Sequence, residues 1–278
     1  MRKTLVSLCV GNTYVSQLNK VLPGWENWCS AHNYDFILFD EPLDTSPLSN
    51  SRSFAWQKLL AMSSPKLKGY DQALWLDTDI LINPCAPDPL VNSDNTKVFI
   101  SRDMASPLSF EPGWLKCLWS EILHYSLLRS QPNNSSLINS SSLNLFSYYD
   151  LWGFNARKRI LYNTGVIGFS PLYHSSIFEQ IYYRWYDGGS GALHEMIPVN
   201  LELSQRGLIS EIDSKFNYLA GVVHAAWNSE PLLLQEWLNL GPQRLSVNNF
   251  ILHLFNASYF LHFAGAHKLM NNFRPHDI

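Results

Sequence analysis

The sequence has few charged residues, little net charge and no long apolar run. Charged side chains make up 15% of its 278 residues, against roughly 25% in an average soluble domain, and the formal net charge is −3. This composition argues against a long disordered or coiled-coil protein, and it does not suggest a nucleic acid as partner. No apolar segment approaches the ~18 residues of a membrane-spanning helix, so the sequence predicts no transmembrane segment.

Cysteine pairs and cysteine-based metal motifs are also missing. The four cysteines stand alone in the sequence, at Cys9, Cys29, Cys85 and Cys117. We interpret them as free thiols in a reducing compartment. The basic, apolar start of the chain resembles a signal peptide, but its apolar stretch is short and is interrupted by Ser7. We therefore expect a cytoplasmic protein, and attachment to a membrane surface stays open.

Apolar and aromatic residues are abundant, at 46% and 14% of the chain, so a sizeable core can form. Apolar runs of strand length alternate with segments of helical period, which predicts an α/β fold with one doubly wound, mostly parallel sheet and a C-terminal subregion built onto it. Predicted strands cover residues 5–10, 35–39, 72–76, 97–101, 161–169, 208–212 and 259–263. Predicted helices cover residues 15–32, 54–62, 113–128, 175–186, 195–205, 230–240 and 247–255.

An Asp-x-Asp motif at the end of a hydrophobic strand is the strongest chemical signal. The strand period places Asp77 and Asp79 on one side of the chain. Open α/β sheets bind ligands at the carboxyl ends of their strands, and two carboxylates there suit a hard divalent cation that would hold a diphosphate. The tripeptide alone also occurs at solvated strand ends and helix caps, so it leaves both interpretations open.

A second motif, His262-x-x-Gly265-x-x-Lys268, lies near the C-terminus. A predicted strand carries His262, and Gly265 permits close approach of the backbone to a ligand. Lys268 supplies a positive charge for phosphate oxygens. Imidazole accepts manganese as well as zinc, so His262 would complete a metal site with Asp77 and Asp79.

Together the two motifs resemble the signatures of retaining GT-A glycosyltransferases, in particular the glycogenin and lipopolysaccharide galactosyltransferase group, with features shared by galactomannan and mannan α-glycosyltransferases. The resemblance implies one GT-A domain over residues 1–278, with a nucleotide-binding half at 1–103 and a sugar and acceptor half at 104–278. It implies that Asp77, Asp79 and His262 bind Mn²⁺ or Mg²⁺. The metal would hold a nucleotide-diphosphate sugar donor, expected to be a UDP-sugar.

Weaker matches follow in the order of the family. They imply that residues after the first strand bind the base and ribose, that a helix lends a basic residue to the donor, and that a later strand contacts the sugar. The donor-binding residues expected on this basis are Val10, Asn12, Tyr14, Lys58, Asp77, Asp103, Asn163, Thr164, Gly165, Gly265 and Lys268.

Two carboxylates are the candidates for catalysis. By resemblance, Glu195 takes an acidic position of the family and Asp103 touches the donor sugar. Met196 replaces a Gln that some relatives carry beneath the anomeric carbon. A double displacement through Glu195 or Asp103 stays open beside transfer on one face of the sugar, in which the leaving phosphate takes the acceptor proton.

Two other functions compete with this interpretation. A haloacid-dehalogenase-type phosphatase also carries Asp-x-Asp after a strand, but near the N-terminus and with Thr or Val where Leu81 stands here. A catalytically silent carbohydrate- or nucleotide-binding protein would have no evident need for both motifs. We therefore expect an enzyme, a hexosyl- or pentosyltransferase, that acts on a glycan or glycolipid acceptor.

The acceptor site is expected beside the helix at 114–128 and the Ser/Asn-rich stretch at 130–147, because substrate loops vary and move. Three tryptophans of this region either stack on the acceptor sugar or belong to the core: Trp114, Trp119 and Trp152. The sequence leaves the donor sugar, the linkage and the oligomeric state open.

Overall fold

The computed structural model describes residues 1–103, 160–185, 194–229 and 246–273. Its strands are β1 (Lys3–Leu8), β2 (Tyr34–Phe39), β3 (Gln72–Leu76), β4 (Ile80–Ile82), β5 (Val98–Arg102), β6 (Tyr162–Phe169), β7 (Ile209–Ile212), β8 (Tyr218–Leu219) and β9 (Phe260–His262). Its α-helices are α1 (Asn12–His32), α2 (Pro47–Asn50), α3 (Lys58–Met62), α4 (Pro171–Arg184), α5 (Met196–Gln205), α6 (Ala220–Ser229), α7 (Val247–Ala257) and α8 (His267–Asn272). Short 3₁₀ helices cover Phe54–Gln57, Pro65–Leu67 and Ser214–Asn217.

Six of these strands form the larger sheet, in the order β2-β1-β3-β6-β5-β7. β1 pairs in parallel with β2 and β3, and β5 pairs in parallel with β7. A helix crossover such as α1 is what permits parallel pairing of β1 and β2. The predicted α/β fold with a mostly parallel sheet is confirmed. β6 is the exception, because it runs antiparallel to both β3 and β5.

A smaller sheet, in the order β4-β9-β8, lies where the C-terminal subregion was expected. β4 begins four residues after the end of β3, so the chain passes from one sheet to the other through the Asp-x-Asp motif. In this sheet His262 stands opposite Ile80 of β4 and Leu219 of β8. The sequence analysis predicted β9 but neither β4 nor β8, since strands of two or three residues carry almost no periodic signal.

Two clusters of buried apolar side chains form the core, and side chains of α1 belong to the first of them. Trp25 and Trp28 are buried on the inner face of α1. Their indole N–H groups donate to the carbonyls of Ile80 and Ala86, at 2.8 and 3.0 Å. The aromatic side chains therefore bury their rings and satisfy their polar atoms at the same time. This packing fixes α1 against β4 and thus against the junction of the two sheets.

Most predicted elements agree with the structure within a few residues. The predicted helix 54–62 is divided into the 3₁₀ helix Phe54–Gln57 and α3. Ser53 caps it, because its side chain accepts a hydrogen bond from the backbone N–H of Ala55. The predicted helices 113–128 and 230–240 lie outside the described residues, while α6 and α8 were not predicted. Within the described ranges, no helix combines the length and the apolar character needed to cross a membrane.

The cysteines are free thiols as far as the structure describes them. Cys9 and Cys29 are buried, and Cys85 is exposed. Burial raises the pKa of the Cys29 thiol to about 12, which keeps it protonated and unreactive. Cys117 lies outside the described residues.

Candidate functional site

The Asp-x-Asp motif is held at the junction of the two sheets by backbone hydrogen bonds on both sides. The N–H of Asp77 donates to the carbonyl of Gly165 at 3.0 Å, and the carbonyl of Asp79 accepts from the N–H of Phe263 at 3.0 Å. The pairing of β4 with β9 then brings His262 beside the two carboxylates. One ligand atom from each of Asp77, Asp79 and His262 lies within 4.8 Å of the others. The structure therefore brings the three predicted metal ligands together.

The spacing and chemistry of these three side chains fit a hard divalent cation. His262 Nε2 lies 3.2 Å from Asp79 Oδ1 and 4.0 Å from Asp77 Oδ2. Neighbouring ligands in an octahedral shell with bonds of about 2.1 Å are roughly 3 Å apart, close to the shorter of these distances. Two carboxylates with one imidazole suit Mn²⁺ or Mg²⁺, and the site lacks a thiolate that would favour a softer metal. The donor set thus fits the metal that the motifs implied.

Asp79 and His262, the two buried members of this group, each stabilise the charged form of the other. Burial alone would raise the pKa of Asp79, but the neighbouring His262 and His267 lower it below its ordinary value. Burial alone would lower the pKa of His262, but Asp79 and Asp77 raise it above its ordinary value. Asp79 is therefore a carboxylate over the whole physiological range, as a metal ligand must be.

Lys58 is buried between two carboxylates. Its ammonium group lies 2.9 Å from Asp77 Oδ1 and 2.9 Å from Glu195 Oε1. Burial alone would lower the pKa of Lys58, but Asp77 and Glu195 raise it above its ordinary value, so the side chain stays charged. The hydroxyl of Thr164 donates to the same Glu195 oxygen at 2.8 Å. The structure thus joins four residues that the sequence analysis took from four separate segments of the chain.

A second set of buried polar side chains extends from Asp103 to His262. The amide of Asn163 donates to Asp103 Oδ2 at 2.9 Å, and its oxygen accepts from the N–H of Gly165 at 2.9 Å. Asn217 lies between Asn163 and His262, at 2.9 Å from Asn163 Oδ1 and 2.7 Å from His262 Nδ1. Asn217 was not singled out from the sequence. No motif or period marks it, since it reaches the site only through tertiary packing.

Gly165 carries no side chain at the place where the His262 ring lies. A Cβ atom built on Gly165 would lie 2.3 Å from His262 Cε1 and 2.6 Å from His262 Nδ1, well inside van der Waals contact. The sequence analysis expected Gly165 among the donor-binding residues. The contact that the structure describes is with the imidazole, so Gly165 makes room for the His262 ring.

The residues of the second motif that follow His262 line a cavity of about 510 Å³. Gly265 has a φ of 68°, a left-handed conformation that glycine adopts without strain. Lys268 is exposed in α8 and lines the same cavity, together with His224 and His267. Lys268 therefore gives the cavity an ammonium group, which suits an anionic ligand.

Gln17 of α1 connects the two sequence motifs. Its side-chain oxygen accepts a hydrogen bond from the hydroxyl of Thr78, the middle residue of Asp-x-Asp, at 3.1 Å. Its amide nitrogen contacts Nδ1 of His267 at the cavity. Gln17 is buried, and the sequence analysis did not select it, because a polar residue inside a helix does not by itself indicate a contact. It ties the end of β3 to the start of α8.

Three expected donor-binding residues lie where β1 passes into α1. Val10 is half-buried, Asn12 is the exposed first residue of α1, and Tyr14 lies two positions further along. Burial raises the pKa of Tyr14, and the carboxylates of Asp77 and Asp79 raise it further. The Tyr14 phenol is thus close enough to interact electrostatically with both carboxylates.

The acceptor site was expected beside segments that follow residue 113. The helix 114–128, the Ser/Asn-rich stretch 130–147 and the tryptophans Trp114, Trp119 and Trp152 all lie outside the described residues.

Comparison with known proteins gives one informative likeness. No family model matches the chain, and none of the curated proteins matches it. A solved glycosyltransferase involved in glycosylation of the major capsid of PBCV-1 is 14% identical, with a TM-score of 0.50 over 98% of this chain and 99% of that chain. The chain has the GT-A fold. At this identity the likeness extends to the fold alone.

Two further solved structures are similar at a lower level. The apo structure of the bifunctional glycosyltransferase WbbM is 12% identical, with a TM-score of 0.49 over 95% of this chain and 46% of that one. Mouse xyloside xylosyltransferase 1, also in its apo form, is 10% identical, with a TM-score of 0.41 over 94% and 97%. Both scores are below 0.5.

Proposed function

We propose that this chain is a metal-dependent glycosyltransferase. It would transfer a sugar from a nucleotide-diphosphate donor, a UDP-sugar, to a glycan or glycolipid acceptor with retention of configuration. The observation that carries the proposal is the convergence of Asp77, Asp79 and His262 at the end of β3, with ligand atoms within 4.8 Å of one another. A solved glycosyltransferase is similar in fold over 98% of this chain and 99% of its own. Because a fold alone does not define a function, the site carries the argument.

The leaving group of this reaction is a nucleoside diphosphate, whose charge grows as the bond to the sugar breaks. A Mn²⁺ or Mg²⁺ ion held by the three ligands would neutralise part of that charge. On the protein side, Lys268 and the backbone at Gly265 line the cavity in which we place the diphosphate. Charges positioned in advance at the point where charge develops lower the barrier most effectively.

Between the two candidate acids, the geometry favours Glu195 as the carboxylate nearest the reacting bond. Glu195 shares Lys58 with the metal ligand Asp77, so it lies within one side chain of the metal site. Asp103 is instead bound to Asn163. We propose that Glu195 stabilises the positive charge that develops on the sugar. A covalent bond to Glu195 and same-face transfer are both compatible with this position.

The donor-binding assignment follows the same geometry. We propose that Val10, Asn12 and Tyr14 contact the base and ribose, and that Asn163, Thr164 and Gly165 border the sugar. The residues of the metal site come from both 1–103 and 104–278, so we propose that the two halves act as one domain. A cytoplasmic location stays a prediction.

A donor hydrolysis screen tests the proposed function. The purified protein is incubated with UDP-, GDP-, CMP- and dTDP-sugars, with and without Mn²⁺, and release of the nucleotide is measured. We expect slow, metal-dependent hydrolysis of one UDP-sugar, lost in Asp79→Ala and His262→Ala. Glu179→Gln, an exposed carboxylate on α4, serves as the control and should retain the wild-type rate.

If no donor is hydrolysed, calorimetry of UDP binding in the presence of Mn²⁺ separates the remaining cases. Metal-dependent binding without turnover, even after addition of acceptor glycans, would support the alternative of a silent nucleotide-sugar-binding protein. Absence of both turnover and metal-dependent binding would overturn the proposal.

A further inference from the structure

We propose that Asn217 is a positioning residue that holds His262 in the tautomer needed to bind a metal, and that Asn163 and Asp103 anchor it. The inference rests on the proposed metal site and assigns a role to residues behind it. It follows from the order of hydrogen-bond donors and acceptors, which can be deduced one residue at a time. Each step begins from a group whose role as donor or acceptor is not in doubt.

The orientation of Asn163 is set on both sides of its amide. The backbone N–H of Gly165 can only donate, and it lies 2.9 Å from one amide atom of Asn163, which must therefore be the oxygen. The other amide atom lies 2.9 Å from a carboxylate oxygen of Asp103 and must be the nitrogen. A flipped amide would place donor against donor and acceptor against acceptor, so only one orientation satisfies both neighbours.

The orientation of Asn217 follows from that of Asn163. One amide atom of Asn217 lies 2.9 Å from Asn163 Oδ1 and 3.3 Å from the backbone oxygen of Asn163. Both neighbours are acceptors, so this atom is the nitrogen. The amide oxygen of Asn217 therefore faces His262, where it lies 2.7 Å from Nδ1.

The tautomer of the metal-bound ring is thereby defined. Both ring nitrogens face oxygens, since Nδ1 faces Asn217 Oδ1 and Nε2 lies 3.2 Å from Asp79 Oδ1, so the fully protonated ring donates on both sides. When Nε2 binds a metal, it does so through its lone pair, and the ring keeps its proton on Nδ1, where the oxygen of Asn217 accepts it. A metal-binding histidine commonly donates its other N–H to an oxygen in this way, which fixes the ring and increases its basicity. Here an amide supplies that oxygen, and a carboxylate anchors the chain of amides.

The position of Asn217 depends on the turn that carries it. Asp213 caps the 3₁₀ helix Ser214–Asn217 by accepting from the N–H of Lys215 at 2.8 Å. Phe216 is buried and packs edge-on against Phe260, with ring centroids 5.4 Å apart. The core contact of Phe216 directs the next residue toward β9. All four side chains are buried: Asn217, His262, Asn163 and Asp103. Loss of one hydrogen bond among them would therefore leave a buried polar group that water does not satisfy.

The experiment measures the state of the His262 ring and the metal affinity separately. Protein labelled with ¹⁵N in histidine is studied by NMR with Mg²⁺ bound, and the two ring nitrogens of His262 are assigned by comparison with His262→Ala. Binding of Mn²⁺ and Mg²⁺ alone is measured by calorimetry. We expect the wild-type protein with Mg²⁺ to show a protonated, hydrogen-bonded Nδ1 and a non-protonated Nε2.

Two substitutions distinguish positioning from a structural role. Asn217→Leu removes the acceptor at similar volume. It should remove the hydrogen bond at Nδ1, seen as a changed Nδ1 signal with Mg²⁺ bound, and weaken metal binding by about 10–100-fold, the usual effect of losing such a partner. Asn217→Asp keeps an oxygen opposite Nδ1, so it should retain the hydrogen-bonded Nδ1 signal and bind metal more tightly than Asn217→Leu. Gln72→Met removes another buried amide, at the opposite end of β3, and should change neither readout.

The outcomes separate this inference from the proposed function. A His262 ring with Mg²⁺ bound whose Nδ1 proton is not hydrogen-bonded in the wild-type protein would overturn the inference even if every variant failed to fold. Unchanged ring signals and unchanged metal affinity in a folded Asn217→Leu variant would overturn it as well. Absence of Mn²⁺ and Mg²⁺ binding by the wild-type protein would overturn the proposed metal site instead, and with it the purpose assigned to Asn217.

Discussion

Replacement of Gly165 by alanine is the sharpest single test of the metal site, because it adds one carbon atom beside one ligand. The added Cβ would lie 2.3 Å from Cε1 and 2.6 Å from Nδ1 of His262, whereas ordinary contact begins at 3.4 Å. The imidazole or β6 would have to move by about 1 Å, a displacement that typically costs an active site on the order of 100-fold in rate. The same overpacking should lower the free energy of unfolding by about 1–3 kcal/mol.

The assay for Gly165→Ala compares metal affinity, donor hydrolysis and thermal unfolding in one set of preparations. Gly24→Ala is the matched control, because a Cβ there would meet only the Ile82 carbonyl at 3.9 Å. Alanine inside the α1 helix should be neutral or slightly stabilising. We expect weak metal binding and about 100-fold slower hydrolysis for Gly165→Ala, and wild-type values for Gly24→Ala. A Gly165→Ala protein with wild-type metal affinity and rate would refute the reasoning that this glycine makes room for His262.

Three other predictions follow from the buried polar groups. Lys58→Met should abolish hydrolysis and lower the melting temperature, because breaking a buried ion pair costs about 3–5 kcal/mol. Metal affinity should stay at least as high, because the site becomes more negative, and weaker metal binding would contradict this. Asn200→Leu should destabilise the fold by about 1–3 kcal/mol for each Tyr162 backbone group that loses its partner, measured by urea unfolding. Burial lowers the pKa of His174. Below about pH 6.5 the unfolded chain therefore binds more protons than the folded protein, so the stability that His174 contributes is complete above that pH and decreases as the pH falls. In His174→Gln, the urea midpoint should decline less steeply as the pH is lowered.

The sequence predicted the elements that carry a local signal. The strand Gln72–Leu76 was placed to the residue, since a continuous apolar run ends there in the Asp-x-Asp motif. The helix of α1 was recognised from its apolar period, although it begins three residues earlier than predicted, at Asn12. The α/β class followed from the alternation of such elements. These predictions succeeded because periodicity and strand-end motifs depend on neighbours in the sequence.

The elements that were missed depend on partners far along the chain. β4 and β8 have three and two residues, and they are strands only because β9 pairs with both. The antiparallel direction of β6 depends on the route of the chain before it, which no local pattern records. Asn217 looks like any polar turn residue until Phe216 is packed against Phe260.

The sequence by itself determined which chemical groups the protein has for its site. It predicted Asp77, Asp79 and His262 as metal ligands, Lys58 as a donor-binding residue and Glu195 as a candidate catalytic acid, because residue types and spacing reflect chemical requirements. Only the tertiary structure decided how these groups are paired. It placed Lys58 between Asp77 and Glu195, and it placed the His262 ring over Gly165 with Asn217 behind it. Pairing depends on distances between atoms that are far apart in sequence, and those distances exist only after both sheets have formed.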